Sequence, residues 1–306
     1  MVGGVIGPVV SLVPRRFEEG ATGGVPRFDW ELRKAIPGLV SWRSGAITLA
    51  RLTWLRRRHP ELIVITSSEL SVRVPASIRT LVVHHGCAQT HYDRDPDWRT
   101  ATTRRVCKAQ ARMYALPNRQ FVSPARWTAR QFAIHYDVPE ATVVPHWAPE
   151  IPRTRATPSV PVVMGDWRTF NKGQKAVAAL ARALPEYEFR PLECTYDTRA
   201  AAYQSADVYL CLSLSEGGSY SMCDAEAAAL PIVSTEVGNC EEFKPVIVPW
   251  QQRDEIPVVR TAIEQALAHR RGPSFYESWT LRQWSRAWAE LIERARDVVE
   301  AQAPAQ

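Results

Sequence analysis

ADVYLCLSLSEGGSYSMCDAEAAALPIVSTEVGNCEEF, residues 206–243, decides the fold. An apolar run, 208–212, ends in a polar loop, 213–219; a stretch of small residues with helical character follows, and a second apolar run starts at Pro231. Strand, loop, helix, strand is a βαβ unit, and runs this apolar belong to parallel sheets covered on both faces. Ligands of open α/β sheets sit at the carboxyl ends of strands, which places a site at the 213–219 loop. Gly217 and Gly218 let backbone amides approach an anion without an intervening side chain. The N-terminus of the helix after them carries partial positive charge and suits a phosphate. Glu216 stands at the mouth of the strand and Asp224 eight residues later, within the helix. Each carboxylate accepts two hydrogen bonds, which suits a pair of vicinal hydroxyls such as those of a sugar ring or a ribose. By spacing alone the two acids also fit a solvated face.

The same alternation extends in both directions. Strands are expected at 5–13, 62–66, 80–84, 120–123 and 142–145, and again at 160–164, 188–192, 208–212, 231–234 and 246–248. Helices are expected at 45–59, 98–115, 125–136, 173–184, 198–206 and 221–229. Five prolines (145, 149, 152, 158 and 161) interrupt the pattern. Proline fixes φ and resists helix, so residues 146–160 read as a linker between an N-terminal domain, 1–145, and a C-terminal domain, 161–275. Within 276–300, Leu281, Trp284, Trp288, Leu291, Ala295 and Val298 follow steps of three and four and make one helical face, suited to packing on a domain or crossing back to brace the first. The 306 residues suit two domains, each large enough for its own core. The fold class is therefore α/β, two facing Rossmann-like domains with parallel sheets.

Composition bounds the function. Residues 1–13 are apolar and Arg15-Arg16 follow, the reverse of the order in a signal peptide, so 5–13 reads as a buried strand, with a divergent signal peptide the lesser reading. Six cysteines form no CxxC pair and match no zinc spacing, which suits reduced, buried thiols in a cytoplasmic protein. The net charge of +6 is unevenly spread: residues 1–150 hold 21 basic and 12 acidic residues, the remainder 17 and 20. A basic first half suits an anionic partner, and only five of the 38 basic residues are lysine, so an arginine-rich genome explains it equally well.

Residues 206–243 resemble the donor-binding signature of family 4 glycosyltransferases, in which a glutamate, seven residues and a second glutamate precede an Ala-rich helix and a proline. Here Glu216, seven residues, Asp224 and Pro231 take those places. The second acid is Asp rather than Glu, Gly218-Ser219-Tyr220 stands for Phe-Gly-Leu, and Ala229-Leu230 replaces a glycine before the proline. Further stretches resemble the family in the same order: Thr22-Gly23-Gly24-Val25 its glycine loop, Val82-Val83-His84-His85-Gly86 its strand ending in His-Gly, Phe121-Val122-Ser123-Pro124 and Val143-Val144-Pro145-His146 the end of its first domain, and Gly165-Asp166-Trp167-Arg168 with Asn171-Lys172-Gly173 its basic pair. The resemblance spans roughly 5–295 and implies the GT-B fold and transfer from a nucleotide sugar, with retention and without a metal; there is no Asp-x-Asp element. It implies that Glu216 holds the donor sugar, Asp224 the ribose, and Arg168 and Lys172 with the amides of Gly217, Gly218 and Ser219 the diphosphate. His85 contacts the sugar or its reacting end, and Gly23 and Gly24 approach the diphosphate. The nucleotide sugar is a co-substrate, so no cofactor is expected. The acceptor expected is a lipid-linked or polysaccharide glycan, with peripheral contact at the inner membrane face through the basic first domain. The plain readings stand beside these: His84 and His85 as a strand-end pair, Gly23-Gly24 as a turn. Two rivals remain, a nucleic-acid-binding protein or transferase acting on DNA that grips phosphates with Arg56-Arg57-Arg58 and Arg104-Arg105, and a non-catalytic relative that keeps the fold.

Overall fold

The computed structural model describes residues 8–14, 24–152, 160–268 and 274–297. Its first sheet contains β1 (Val9–Val13), β2 (Val40–Arg43), β3 (Ile63–Ser67), β4 (Arg79–Val83), β5 (Arg119–Ser123) and β6 (Thr142–Val143), in the order β2-β1-β3-β4-β5-β6. The second contains β7 (Val162–Gly165), β8 (Glu188–Pro191), β9 (Val208–Cys211), β10 (Ile232–Thr235) and β11 (Val246–Val248), in the order β11-β10-β9-β7-β8. Every pairing is parallel. The strands buried on both faces, such as β1 (VVSLV), β3 (IVITS) and β9 (VYLC), are the continuous apolar runs that such a sheet demands.

Helices supply the crossovers. In the first half they are α1 (Gly24–Ala35), α2 (Ala46–Arg58), α3 (Ser68–Ser71), α4 (Ala88–Arg94), α5 (Ala101–Tyr114) and α6 (Arg126–Tyr136). In the second they are α7 (Gln174–Ala183), α8 (Arg199–Gln204), α9 (Tyr220–Ala227), α10 (Cys240–Phe243), α11 (Ile256–Ala268), α12 (Phe275–Ser278) and α13 (Leu281–Asp297). The α/β class and the two parallel sheets agree with the sequence. Several elements do not appear in that reading, among them β2, α1, α3, α4, α10 and α11. Strand β2 is an edge strand whose four residues are exposed or half-buried, so it lacks an apolar run. Helix α1 begins at Gly24, where a glycine loop is expected; Pro26 in its first turn costs it no hydrogen bond. Helix α11 buries Val259, Ala262, Ile263 and Ala266. Residues 5–7 of the first expected strand lie outside the described residues, as does Val298. Among the described residues no helix is long and apolar enough to cross a membrane.

Helix α13 packs on α1, β3 and β4, the first sheet, although it follows the second sheet in the chain. It buries Trp284, Trp288, Leu291, Ile292 and Ala295, and Trp288 lies 5.4 Å from Phe28 of α1, ring to ring. Arg79 Nη1 of β4 donates to the Arg296 carbonyl at 3.0 Å. Trp288 is 1% exposed and joins one apolar cluster with Ile63, Leu81 and Leu32. Trp288→Ala is expected to cost about 3–5 kcal/mol in urea unfolding, and Trp288→Phe markedly less. Equal and small effects of the two would contradict this packing.

Candidate active site

The carboxyl ends of both sheets face one cavity of about 470 Å³. Gly24, His85, Arg168, Lys172, Glu216, Gly217, Gly218, Ser219 and Asp224 all line it; Gly23 lies outside the described residues. Gly24 and Asp224, 200 positions apart in the chain, thus meet in one place.

The cations come from the turn after β7. Gly165 closes that strand where a Cβ would stand 2.2 Å from the Leu210 carbonyl, so only glycine fits. Gly173, at φ +86°, ends the short turn that carries Lys172 and opens α7. Between them Asp166 organises the charges. It accepts from Arg168 Nε at 2.7 Å and Nη2 at 3.1 Å, and from Lys172 Nζ at 2.7 Å. Lys172 Nζ also lies 3.5 Å from Glu216 Oε1, and Glu216 accepts from Ser213 Oγ at 2.8 Å. Burial opposes the charge of Lys172, but Glu216 and Asp166 outweigh it and hold its pKa above the ordinary lysine value. Burial likewise opposes the Asp166 carboxylate, yet its bonds to Arg168 and Lys172 leave its pKa below the usual one. Asp166 therefore competes for the two cations expected to meet a diphosphate; the sequence reading gave it no role.

Asp224 has a partner that sequence does not reveal. Arg27 of α1 donates to both of its oxygens, Nη1 to Oδ2 at 2.6 Å and Nη2 to Oδ1 at 2.8 Å. Arg199 Nε lies 3.6 Å from Oδ1. The Arg27 guanidinium sits over the Tyr220 ring, 4.3 Å from its centroid. Burial works against the charge of Arg27, and Asp224 more than compensates, raising its pKa. Each carboxylate oxygen has a second lone pair, so the pairing leaves Asp224 able to accept from another donor.

The glycines do more than bare their amides. A Cβ on Gly217 would stand 2.1 Å from the His85 carbonyl, and one on Gly218 2.7 Å from Pro124. Both are sites where the second half of the chain touches the first, backbone to backbone or backbone to ring. Thr128 Oγ1 donates to the Gly217 carbonyl and Asn239 Nδ2 to the Pro124 carbonyl across the same seam. Ser219 caps α9, its hydroxyl accepting from the Met222 amide.

Three histidines lie nearby, His84 and His146 buried and His85 half-buried. His84 belongs to the core, stacked on Phe132 at 3.8 Å and bonded to Tyr114 Oη at 3.1 Å. His85 lines the cavity, edge-on to Phe28. His146, which the sequence placed only at the end of the first domain, also lines it and stacks on Tyr220 at 4.3 Å. Burial pushes His84 down to about 3 and His85 to about 4, and holds His146 well below its usual value. All three are neutral near pH 7, so His85 presents an uncharged imidazole to the cavity. Among the described residues no three His, Cys, Asp or Glu side chains converge as a metal site.

These depressed pKa values fix the sign of an acid effect. In the unfolded chain the imidazoles titrate near 6.5. Below that pH the unfolded chain binds protons that the folded chain refuses, so stability is intact above about pH 6.5 and falls towards pH 4. Three such groups give a slope approaching roughly 4 kcal/mol per pH unit near pH 5. Urea unfolding as a function of pH checks this, and a flat profile between pH 7 and 5 would contradict it.

No family model matches this sequence, and no curated protein does. Solved structures do match. The chain is similar to sucrose-phosphate synthase from Thermosynechococcus elongatus, with a TM-score of 0.64 at 13% identity over 97% of this chain and 98% of that one. It is similar to a glycosyltransferase from Rickettsia africae, with a TM-score of 0.59 at 12% identity over 95% and 99%. It is also similar to Anabaena HepE in complex with UDP, with a TM-score of 0.55 at 11% identity over 96% and 99%. At such identities the likeness establishes the fold, that of GT-B glycosyltransferases with two Rossmann-like domains.

Proposed function

We propose that this protein is a glycosyltransferase, a hexosyltransferase that moves a sugar from a nucleoside-diphosphate sugar to an acceptor hydroxyl with retention of configuration and without a metal. The observation that carries this reading is the meeting of Arg168 and Lys172 with Glu216, at the carboxyl ends of both sheets, in one cavity large enough for such a donor. The similar chains of full coverage include glycosyltransferases, and one is described with UDP bound.

Breaking the anomeric C–O bond leaves negative charge on the diphosphate, and fixed cations stabilise it best. Lys172 and Arg168 take that part, together with the N-terminus of α9 behind Gly217, Gly218 and Ser219. A diphosphate draws both cations away from Asp166, so the acid holds them in place until the donor arrives. Glu216 accepts from the sugar hydroxyls, and Asp224, steadied by Arg27, accepts from the ribose. Neutral His85 hydrogen-bonds to the sugar. Gly23 and Gly24 leave room for the diphosphate, and the leaving phosphate takes the proton of the acceptor hydroxyl. The donor is a co-substrate; no cofactor enters. The acceptor is a lipid-linked or polysaccharide glycan.

Thermal unfolding with UDP-, GDP- and ADP-sugars, with and without EDTA, tests this. A cognate donor at 100 times its Kd stabilises by about 2.7 kcal/mol, and the shift survives EDTA. Lys172→Ala weakens that donor about tenfold to a hundredfold, the loss of one charge-assisted contact, while Asp166→Asn tightens it. No response to any donor, or tightening by Lys172→Ala, would overturn the proposal.

A further inference from the structure

Next to the loop that carries Glu216, the first half of the chain presents an indole on a braced turn. Helix α4 carries His91 and Arg94, three positions apart and so on one face. That face meets the second half. Arg94 Nη1 donates to the Leu214 carbonyl at 3.0 Å, two residues before Glu216, and its guanidinium lies 4.9 Å from the ring centroid of Trp250. Burial lowers the His91 pKa although Glu216 and Asn171, the neighbour of Lys172, favour its charge, so both stand close to the imidazole. Trp98 stacks on His91, with ring centroids 4.7 Å apart and planes 23° apart. It belongs to a single 3₁₀ turn, Pro96–Trp98, between α4 and α5. Buried Asp95 accepts from the Asp97 amide at 2.9 Å, and the Trp98 amide donates to the Asp95 carbonyl at 3.0 Å. Arg99 ties the turn back to α4, donating from Nε to the Tyr92 carbonyl at 3.2 Å and from Nη2 to the Asp93 carbonyl at 3.3 Å. Trp98 is nonetheless 41% exposed.

An indole held on a rigid turn has little conformational freedom to lose when a ligand covers it. Among the described residues His91 is the one ring stacked on Trp98, so the exposed area of the indole lies on its other face and its edges. The cavity sets the direction from which a ligand comes. With the ribose at Asp224 and the transferred sugar at Glu216, the acceptor hydroxyl enters past Glu216, on the side where α4 meets the loop after β9. We propose that Trp98, with His91 behind it, is the platform on which a pyranose ring of the acceptor stacks; the direction of approach rests on the transferase reading. The C–H groups on one side of a pyranose meet the negative face of an indole, and the exposed Asp97 and Arg99 that flank it suit the hydroxyls at the edge of the ring. A lipid chain fits less well, because residues 92–100 (YDRDPDWRT) contain no aliphatic side chain besides Pro96. A nucleic acid also fits less well, because exposed Asp93 and Asp97 repel phosphates. His91 is a positioning residue, which meets the acceptor only through Trp98.

Saturation-transfer NMR of the full chain with the methyl α- and β-pyranosides of glucose, galactose, mannose and N-acetylglucosamine tests the platform without any donor. At least one of them takes up saturation from the protein, and Trp98→Ala lowers its affinity about tenfold. Trp54→Ala, which removes a comparably exposed indole on α2, leaves that affinity unchanged. His91→Ala weakens the same pyranoside, and His91→Phe, which keeps a ring behind the indole, restores it; far-ultraviolet dichroism confirms the fold of each variant. In transfer from the cognate donor to that pyranoside, Trp98→Ala raises the acceptor KM about tenfold and leaves the donor KM and the donor's thermal stabilisation unchanged. The proposal is overturned if none of the pyranosides binds, if binding survives Trp98→Ala, or if Trp98→Ala and Trp54→Ala weaken it equally. A pyranoside held by Trp98 in a protein that no nucleotide sugar stabilises would uphold the platform and count against the transferase reading instead.

Discussion

The structure depends on a close approach between two backbones. The loop after β9 comes against the end of β4, with Gly217 so near the His85 carbonyl that any β-carbon would stand 2.1 Å from it. That contact sets the distance between the two sheets and hence the size of the cavity. Gly218 against Pro124, the Thr128 bond to Gly217 and the Asn239 bond to Pro124 hold the same seam. Glu216 is carried into the cavity by the loop that makes this contact, so the position of the acid and the closeness of the halves are one constraint.

The Arg27–Asp224 pair secures the other side of the cleft. Both groups are almost without solvent contact, and taking them out of water is costly, so the pair adds little net stability. Its effect is on geometry: either charge left alone in that position would be strongly unfavourable, which ties α1 to α9. Tyr196 strengthens the tie, its hydroxyl donating to Glu31 at 2.9 Å while Arg199 lies over its ring. A donor that uses Asp224 thus enters a site whose acid is already oriented from the opposite half.

Much of this was legible in the sequence. Strands β3, β4, β9 and β10 are short apolar runs bounded by polar turns, and burial on both faces requires such runs. The cavity residues were legible as well, because the loops after β4, β7 and β9 carry His85, Lys172 and Glu216. What escaped has physical reasons. Edge strand β2 (VSWR) is solvated and has no apolar run to mark it. Helix α11 carries helical spacing in Val259, Ala262, Ile263 and Ala266 and was readable, though it is missing from the expected helices. Arg27 lies 197 residues from Asp224, and no local pattern foretells a pair formed only when the halves meet. Gly217 and Gly218 were read as bare amides for an anion, while their crowding against His85 and Pro124 belongs to tertiary structure.

The charges of the cavity carry the central claim. Arg168 and Lys172 are bound to Asp166, an arrangement that suits a site waiting for a diphosphate in the place where Asp166 now holds them. A crystal structure of the protein with the nucleoside diphosphate of its cognate donor tests this most directly. The account predicts the diphosphate between Arg168, Lys172 and the N-terminus of α9, with the bonds from both cations to Asp166 loosened. A diphosphate bound elsewhere, or Asp166 still holding both cations beside a bound nucleotide, would contradict it.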